Sequence, residues 1–380
     1  MFYKIRDPGV IRWEYLVDTV FDAFEAKPLL HLWSNVLFYS TFGDSSWSIR
    51  LFDCARSTDL QTISDARVLA VYGDMIYLLR SNSISAHEAP TMEQVASVEL
   101  LSSVVNNWVS GSEYSAYAEV HPYHETFRIH VYDSKTLRRC CVFELPFLLY
   151  RKEWWFTCQE GADFRFKLAI QDNVLILYFA TRVDNDGLNP GLWKFSFDVR
   201  TGEKQQVLLD KKCSYGGIFA VVDNCFCTSE DRTAKLTRWL TRGREDIGPE
   251  FVGDQGAYGS IARISDYYLY LTHNGQCRTL RAHSISNPWS FHATKDIVEG
   301  EREEEVPAAF AANDGFVAVL MEMQTFSEEE EIEYEYKLKV ARVAPHAFLN
   351  HDIDSESSDE DCDDDDSNGW TSAGTSASNE

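Results

Sequence analysis

Three histidines lie close together in the chain and are its most obvious candidates for metal binding. His121 and His124 fall in a predicted turn, and His130 follows in an alternating strand. The nearest cysteine, Cys140, lies in the next strand. Zinc needs three or four ligands that converge on one point, and a turn followed by two strands does not bring such ligands together by spacing alone. We therefore predict no metal site and no cofactor.

The sequence motifs of common catalytic sites are missing. The chain contains no Gly-x-Ser-x-Gly elbow, no phosphate-binding glycine-rich loop and no His-Glu-x-x-His zinc motif. Cys225 and Cys227 alternate about Phe226, so both thiols face one side of a strand and are expected to pack as small apolar groups. We predict a protein that is not an enzyme. The alternative is a hydrolase whose catalytic residues come from separate repeats.

Acidic residues recur at one position of a repeated pattern. Each of them stands in or beside a turn dipeptide that precedes an apolar run, namely Asp74, Asp172, Asp223, Asp266 and Asp314. Asp is favoured in turns because its side chain bonds to the nearby backbone and tolerates left-handed geometry. These residues are therefore predicted to form turns and not a ring of catalytic acids.

The pattern itself is typical of β-structure from residue 29 to about 350. An apolar run follows each turn dipeptide, most clearly at Val174–Phe179 after Asp172-Asn173. A second, alternating strand comes next, and these strands end near residues 53, 87, 133, 198, 240, 283 and 342. The mean interval of about 48 residues fits seven units of three or four short strands. The third unit is the poorest match, because Gly111-Ser112-Glu113 replaces the Asp turn.

This repeat resembles that of the β-propeller superfamily. The Gly-His and Trp-Asp pairs of WD repeats are missing, and the double glycine of kelch repeats occurs once, at Gly216-Gly217. The resemblance implies seven blades and broad, loop-built faces that bind proteins. Long loops are expected at 181–191 and, with an acidic composition, at 327–331. A β-sandwich pair or a β-helix is the structural alternative.

Residues 7–27 are predicted to form an amphipathic helix. Asp7 suits the N-cap, Pro8 suits the first helical position, and Pro28 ends the pattern. Apolar residues share one stripe at helical spacing: Val10, Trp13, Val17, Val20, Phe21 and Phe24. The helix is expected either to pack on the rest of the protein or to dock a partner through Val17, Phe21 and Phe24.

Residues 20–32 resemble the middle of an F-box, the helical motif that ties substrate receptors to Skp-type adaptors of ubiquitin ligases. The matching positions are the apolar pair Val20-Phe21 and the cluster Leu29, Leu30 and Leu32. The resemblance implies that Leu29 and Leu30 join the docking residues and that a Skp-type adaptor is a partner.

Adjacent tryptophans provide a further candidate contact for a partner. Trp154 and Trp155 cannot both face one side of a strand, so one of them is expected to be exposed. Exposed tryptophans are common energetic centres of protein interfaces.

Net charge limits the classes of partner. Of the charge of −25, residues 352–380 contribute −11 with eleven acids and no Lys or Arg, so residues 1–351 carry −14. Non-specific binding of nucleic acid is therefore not expected. The tail is predicted to be disordered and either to serve solubility or to bind basic proteins. Ser357 and Ser358 each have an acid three residues later, the spacing of acidophilic kinase sites, so both are candidates for phosphorylation.

Composition also bears on the compartment. No apolar run approaches the roughly 20 residues that span a membrane. Charge interrupts Met1–Asp7, where a secretory signal needs an apolar stretch. The nine cysteines are scattered, with no Cys-x-x-Cys pair, and indicate reduced thiols. We expect a cytoplasmic or nuclear protein without membrane association.

The predicted architecture is all-β with three regions. These are an N-terminal helical segment (1–28), a seven-bladed β-propeller (29–350) and a disordered acidic tail (351–380). The predicted function is that of a non-enzymatic scaffold for protein–protein interaction. An F-box-like substrate receptor of a ubiquitin ligase is the first alternative, and a propeller hydrolase is the second.

Overall fold

The computed structural model describes most of the chain as short strands. The described residues are 11–20, 29–43, 45–100, 106–120, 127–145, 166–181, 191–210, 218–222, 225–230, 233–240, 243–246, 251–252, 261–264, 267–273, 278–284, 294–299, 305–326 and 332–343. All of the regular secondary structure in these ranges is β-strand. Within them there is no helix long and apolar enough to cross a membrane.

The strands form antiparallel sheets that follow one another along the chain, numbered here I to VII. Sheet I contains β2 (Leu29–Trp33), β3 (Val36–Gly43), β4 (Ser46–Asp53) and β5 (Thr58–Ser64). Sheet II contains β6 (Arg67–Tyr72), β7 (Met75–Arg80), β8 (Ser83–Glu88) and β9 (Glu93–Glu99). Sheet III contains β10 (Asn106–Ser110), β11 (Tyr114–Val120), β12 (Phe127–Asp133) and β13 (Arg139–Leu145).

The remaining sheets repeat this order with two variations. Sheet IV contains β14 (Phe166–Gln171), β15 (Val174–Thr181), β16 (Gly191–Asp198) and β17 (Lys204–Asp210). Sheet V contains β18 (Ile218–Val222), β19 (Cys225–Glu230), β20 (Thr233–Leu240) and β21 (Gly243–Asp246), and β22 (Phe251–Val252) also pairs with β20. Sheet VI contains β23 (Ile261–Ile264), β24 (Tyr267–His273), β25 (Arg278–Ser284) and β26 (Thr294–Glu299). Sheet VII contains β27 (Glu305–Ala312), β28 (Phe316–Phe326), β29 (Ile332–Val343) and, as its fourth strand, β1 (Ile11–Val20).

The sheets are arranged in a ring. The first strand of each sheet contacts the first strand of the next, from β2 through β6, β10, β14, β18 and β23 to β27. β27 in turn contacts β2. Four-stranded antiparallel sheets placed radially in this way give a β-propeller-like fold.

Burial explains the sequence pattern of the second strands. Leu37, Phe38 and Tyr39 of β3 are all buried, as are Leu175 to Phe179 of β15, because each sheet is covered on both faces by its neighbours. In the third strand β16, buried and partly buried residues alternate from Trp193 to Asp198. Each fourth strand lies at the outer edge, and β5 is mostly exposed. The apolar runs and the alternating strands of the repeat are thus the second and third strands of the sheets.

The turn dipeptides connect the first and second strands as predicted where they are described. Ser34-Asn35, Gly73-Asp74 and Asp172-Asn173 each join two paired strands. Ser34 and Asp172 have φ of 51° and 54°, and Gly73 has 56°. This left-handed backbone at the first position of the phrase suits Gly and Asp, which adopt it more readily than most residues.

The predicted N-terminal helix is wrong over its described part. Residues Ile11–Val20 form β1, which pairs antiparallel with β29 so that Trp13 lies opposite Ala341. The register shifts between Tyr15 and Val17. Aromatic and β-branched residues in period-two alternation favour a strand, and pairing with the last sheet outweighs the helical stripe. The acidic tail and the flanking parts of the predicted helix lie outside the described residues.

Candidate functional site

The strand order gives the ring two different ends. The turns between first and second strands and between third and fourth strands lie at one end, which we call the turn face. Hydrogen bonds join such turns across sheets: Asn313 Nδ2 donates to the Ser34 carbonyl at 2.8 Å, and Arg342 Nη2 donates to the Ala55 carbonyl at 3.1 Å. Arg200 Nη2 is 2.8 Å from both carboxylate oxygens of Glu113. Connections between second and third strands, and between sheets, lie at the opposite end, the loop face.

The longest connection between described strands, 146–165, and most of the other long connections begin and end at the loop face, whereas 285–293 joins β25 to β26 at the turn face. Because antiparallel strands alternate in direction, the strands that flank the loop-face segments all end there. The segments themselves lie outside the described residues: 21–28, 101–105, 121–126, 146–165, 182–190, 211–217, 253–260, 300–304 and 327–331. The turn face carries mainly two- to five-residue turns in sheets I to IV.

A small aromatic group lies at the described part of the loop face. Phe42 and Trp47 face each other across the hairpin of β3 and β4, with ring centroids 5.4 Å apart in an edge-to-face arrangement. The guanidinium carbon of Arg67, the first residue of β6, lies 5.6 Å from the Trp47 ring centroid. Both rings are only half-buried. Tryptophan and arginine in such contact are typical of the centres of protein interfaces. We call these three residues the loop-face aromatic group.

The interface between sheets II and III holds a stack of buried aromatic rings. Trp108 lies 5.4 Å from Tyr77, 6.2 Å from Tyr117 and 6.3 Å from Tyr132 between ring centroids. Tyr117 also stacks on His130 at 4.9 Å. Burial raises the pKa of both Tyr117 and Tyr132, so their hydroxyls remain protonated. The stack is therefore a neutral, tightly packed support between two sheets.

A buried carboxylate and imidazole lie at the edge of this stack. His130 Nε2 donates to Glu119 Oε2 at 2.7 Å, and both residues are less than a tenth exposed. His130 Nδ1 is also buried and has no hydrogen-bond partner among the described groups. A Glu–His pair is the arrangement of a general base. Here both side chains are buried, and the imidazole stacks on the Tyr117 ring as part of the interface between sheets II and III.

A serine network continues from the stack to the turn face. Ser134 Oγ donates to the Gly111 carbonyl at 3.0 Å and lies 2.9 Å from Ser115 Oγ. The Tyr77 hydroxyl of sheet II donates to the Ser134 carbonyl at 2.9 Å. Gly111 is required because a Cβ there would lie 2.6 Å from Ile170 Cγ2 of sheet IV. Sheet III, in which Gly111-Ser112-Glu113 replaces the Asp turn, therefore contacts sheet II through Tyr77 and sheet IV through Ile170.

Another histidine is held neutral in the first strand of sheet I. Burial lowers the pKa of His31 to about 4, and a hydrogen bond with the Val68 backbone opposes this shift only in part. His31 therefore carries no charge at neutral pH and is a packing residue between sheets I and II.

The predicted docking residues are separated by the fold. Val17 lies in β1 opposite Leu338, and Leu29 and Leu30 begin β2. Leu30 packs in the core with Leu37 and residues of sheet VII. The F-box resemblance implies helices, whereas residues 29–33 form a strand, so the helical conformation is not adopted there. Phe21, Phe24, Trp154, Trp155, Ser357 and Ser358 lie outside the described residues.

The candidate metal cluster is placed only in part. His130 is paired with Glu119, while His121 and His124 fall outside the described residues. Within the described ranges no three His, Cys, Asp or Glu side chains are grouped as metal ligands. Cys225 and Cys227 lie opposite Arg238 and Leu236 in sheet V.

One class of turn residue was missed by the sequence analysis. Asp53, Asp133 and Asp198 each end a third strand, and in each the Oδ1 atom accepts hydrogen bonds from the two backbone amides two and three residues later. Desolvation raises the pKa of these carboxyls, but a hydrogen bond from Asn35 Nδ2 to Asp53 and the backbone bonds at all three residues bring each pKa below its ordinary value. An Asp at the end of an alternating strand was the available signal.

Comparisons with known proteins give similarity at the level of overall structure alone. No protein-family model matches the sequence, and no curated protein matches it. The computationally designed Ika8 protein is 12% identical, with 87% of this chain and 98% of that chain covered and a TM-score of 0.48. BamB from Moraxella catarrhalis is 11% identical, with 87% and 100% covered and a TM-score of 0.43. A chain of the mitotic checkpoint complex is 10% identical, with 88% and 95% covered and a TM-score of 0.49.

Proposed function

We propose that the chain is a closed seven-bladed β-propeller that binds other proteins through its loop face and has no enzymatic activity. The described strands fall into seven sheets, and the contact between β27 and β2 supports a closed ring. β1 completes the last sheet, so the first and last described strands pair in one blade. A closed ring leaves two broad faces on which connecting segments present side chains.

The loop face is the proposed binding surface because the longest connection between described strands, 146–165, and most of the other long connections begin and end there. Loops on a rigid scaffold are the usual carriers of binding residues. Trp154, Trp155, Phe21 and Phe24 belong to two of these connections and remain candidate contacts. The loop-face aromatic group adds described residues to the same surface. The single observation that most directly favours a protein partner is the half-buried Trp47 ring in contact with Phe42 and Arg67.

The described polar side chains that could do chemistry are buried or already hydrogen-bonded, which favours a scaffold over a hydrolase. The pair with catalytic chemistry, Glu119 and His130, is enclosed between sheets II and III. The carboxylates of the third-strand turns are bound to backbone amides.

We extend the proposal to the tail: residues 351–380 form a separate acidic segment in which Ser357 and Ser358 are phosphorylated.

Partner capture with matched variants tests this proposal. The tagged full chain, Trp47→Ala and Tyr72→Ala are expressed in the native cells, and co-purified proteins are quantified by mass spectrometry. Tyr72 is an aromatic residue at the turn face and is 45% exposed, which makes it the control. We expect Trp47→Ala to lose specific partners by about tenfold, as removal of an interface centre does, and Tyr72→Ala to retain them. Equal recovery by all three proteins would reject the loop face as the binding surface.

A further inference from the structure

A compact basic surface lies on the turn face of sheet III. Lys135 and Arg138 belong to the turn between β12 and β13, Arg139 is the first residue of β13, and all three are exposed. None of them makes an ion pair with a described carboxylate. This is unusual in a chain whose net charge is −25. We call these three residues the basic turn.

The backbone of the basic turn is held in one conformation. Asp133 Oδ1 accepts hydrogen bonds from the amides of Lys135 and Thr136 and from the Thr136 hydroxyl. Leu137, in left-handed geometry with φ of 53°, buries its side chain in the core between sheets II and III. Ser134 is fixed by the Tyr77 hydroxyl. The cationic side chains therefore project from a rigid base, which lowers the entropy lost when an anionic ligand binds.

Two carboxylates that adjoin the basic turn, Asp133 and Glu113, are already engaged. Asp133 accepts hydrogen bonds from the turn amides. Desolvation raises the pKa of its carboxyl, but these bonds outweigh that effect and lower the pKa. Glu113, whose carbonyl accepts a hydrogen bond from the Ser134 amide, binds Arg200. The positive charge of the basic turn is thus only weakly balanced by its own surroundings.

The last described strand before the acidic tail ends on the same face. β29 ends at Val343, and Arg342 donates to the carbonyl of Ala55 in the corresponding turn of sheet I. Sheets pack about 10 Å apart, so two further sheets place the basic turn on the order of 20–40 Å away. Residues 344–355 span up to about 40 Å when extended. The acidic run 355–366 is therefore within reach of the basic turn.

We propose that the acidic segment 355–366 folds back within the same molecule and binds the basic turn. The segment offers eight carboxylates and no basic residue. Attachment to the ring gives the tail a high effective concentration, so it occupies the site ahead of an acidic segment from another protein. A basic partner of the tail then competes with the chain's own basic turn. Phosphate on Ser357 or Ser358 strengthens the internal contact.

Zero-length cross-linking of the full chain tests this proposal. A carbodiimide joins a lysine amine to a carboxylate only where the two are in direct contact, and mass spectrometry locates the join. We expect Lys135 to be linked to residues of 355–366. The yield should fall about tenfold in about 0.5 M salt, where charges are screened within a few ångströms, and in the Arg138→Glu/Arg139→Glu variant. Arg138→Gln/Arg139→Gln removes the positive charge without reversing it and should lower the cross-linking yield by an intermediate amount.

The matched control removes two exposed arginines elsewhere. Arg50→Glu/Arg80→Glu carries the same change of charge on β4 and at the end of β7 and should keep the Lys135 link. A mixture of ¹⁴N- and ¹⁵N-labelled chains separates links within one molecule from links between copies. Absence of the Lys135 link, an equal loss in both arginine pairs, or links of mixed isotope would each overturn the proposal.

Discussion

Tyr77 and Ser134 join two neighbouring sheets, since the Tyr77 hydroxyl donates a 2.9 Å hydrogen bond to the Ser134 carbonyl. Both residues are buried. We expect Tyr77→Phe to lower the free energy of unfolding by about 1–3 kcal/mol, because it leaves a buried carbonyl without this donor. Urea unfolding followed by fluorescence measures the change. Tyr72→Phe, at an exposed tyrosine, should change stability by less than about 0.5 kcal/mol. Equal effects would show that the bond contributes little.

The pair of Glu119 and His130 is expected to stabilise the interface between sheets II and III. Glu119→Ala leaves the buried His130 without its acceptor and should cost about 2–4 kcal/mol in unfolding free energy. The comparison is Glu144→Ala, which breaks the exposed ion pair with Arg128 and should cost at most about 1 kcal/mol. A cost for Glu119→Ala no larger than that of Glu144→Ala would contradict the structural role.

Gly111 marks a close approach between sheets III and IV. A Cβ at this position would lie 2.6 Å from Ile170 Cγ2, so Gly111→Ala should destabilise the protein by about 1–3 kcal/mol through overpacking. Adding Ile170→Ala removes the clashing methyl group and should recover part of the loss in a double-mutant cycle. Gly43→Ala, where nothing lies within 4 Å, is the control in thermal unfolding. Additive costs at 111 and 170 would argue against the clash.

His31 predicts a pH dependence of stability. Its pKa in the folded protein is about 4, below the value of 6.5 of an unperturbed histidine. The unfolded chain therefore binds the proton first as pH falls. The contribution of neutral His31 is complete above about pH 6.5 and is lost progressively toward pH 4, with a slope of up to about 1.4 kcal/mol per pH unit.

Replacing His31 shows how much of the slope of unfolding free energy against pH comes from this residue. Burial also lowers the pKa of His87, which acts in the same direction and remains in the variant. In His31→Leu the free energy of unfolding, measured by urea titration from pH 7 to pH 4.5, should fall less steeply than in the parent protein. Identical slopes in the two proteins would exclude His31 as a source of acid sensitivity.

β1 is expected to hold the ring closed. Deletion of residues 1–20 uncovers the edge of β29 and should lower the free energy of unfolding by several kcal/mol, a large part of the stability of a typical domain. Deletion of residues 1–10 keeps the paired strand and should have little effect. A peptide of residues 9–28 added to the longer deletion should restore stability. An equal loss of stability in the two deletions would show that β1 is not what holds the ring closed.

Local patterns determined much of the fold from the sequence. Turn dipeptides before apolar runs located the first hairpin of most sheets, because left-handed turn geometry and burial on both faces each select particular residue types. Alternating strands such as Trp193–Asp198 located the third strands for the same kind of local reason.

Contacts between distant residues decided what those patterns left open. Residues 11–20 carry both a helical stripe and a two-residue alternation, and only pairing of Trp13 opposite Ala341 selects the strand. His130 was a possible metal ligand in the sequence. The register of β11 and β12 sets Tyr117 opposite His130 and leaves Glu119 diagonal to it, within reach of its imidazole. Register and ring closure depend on the whole chain, so the sequence determined the repeated elements while the tertiary structure determined which of their polar side chains meet.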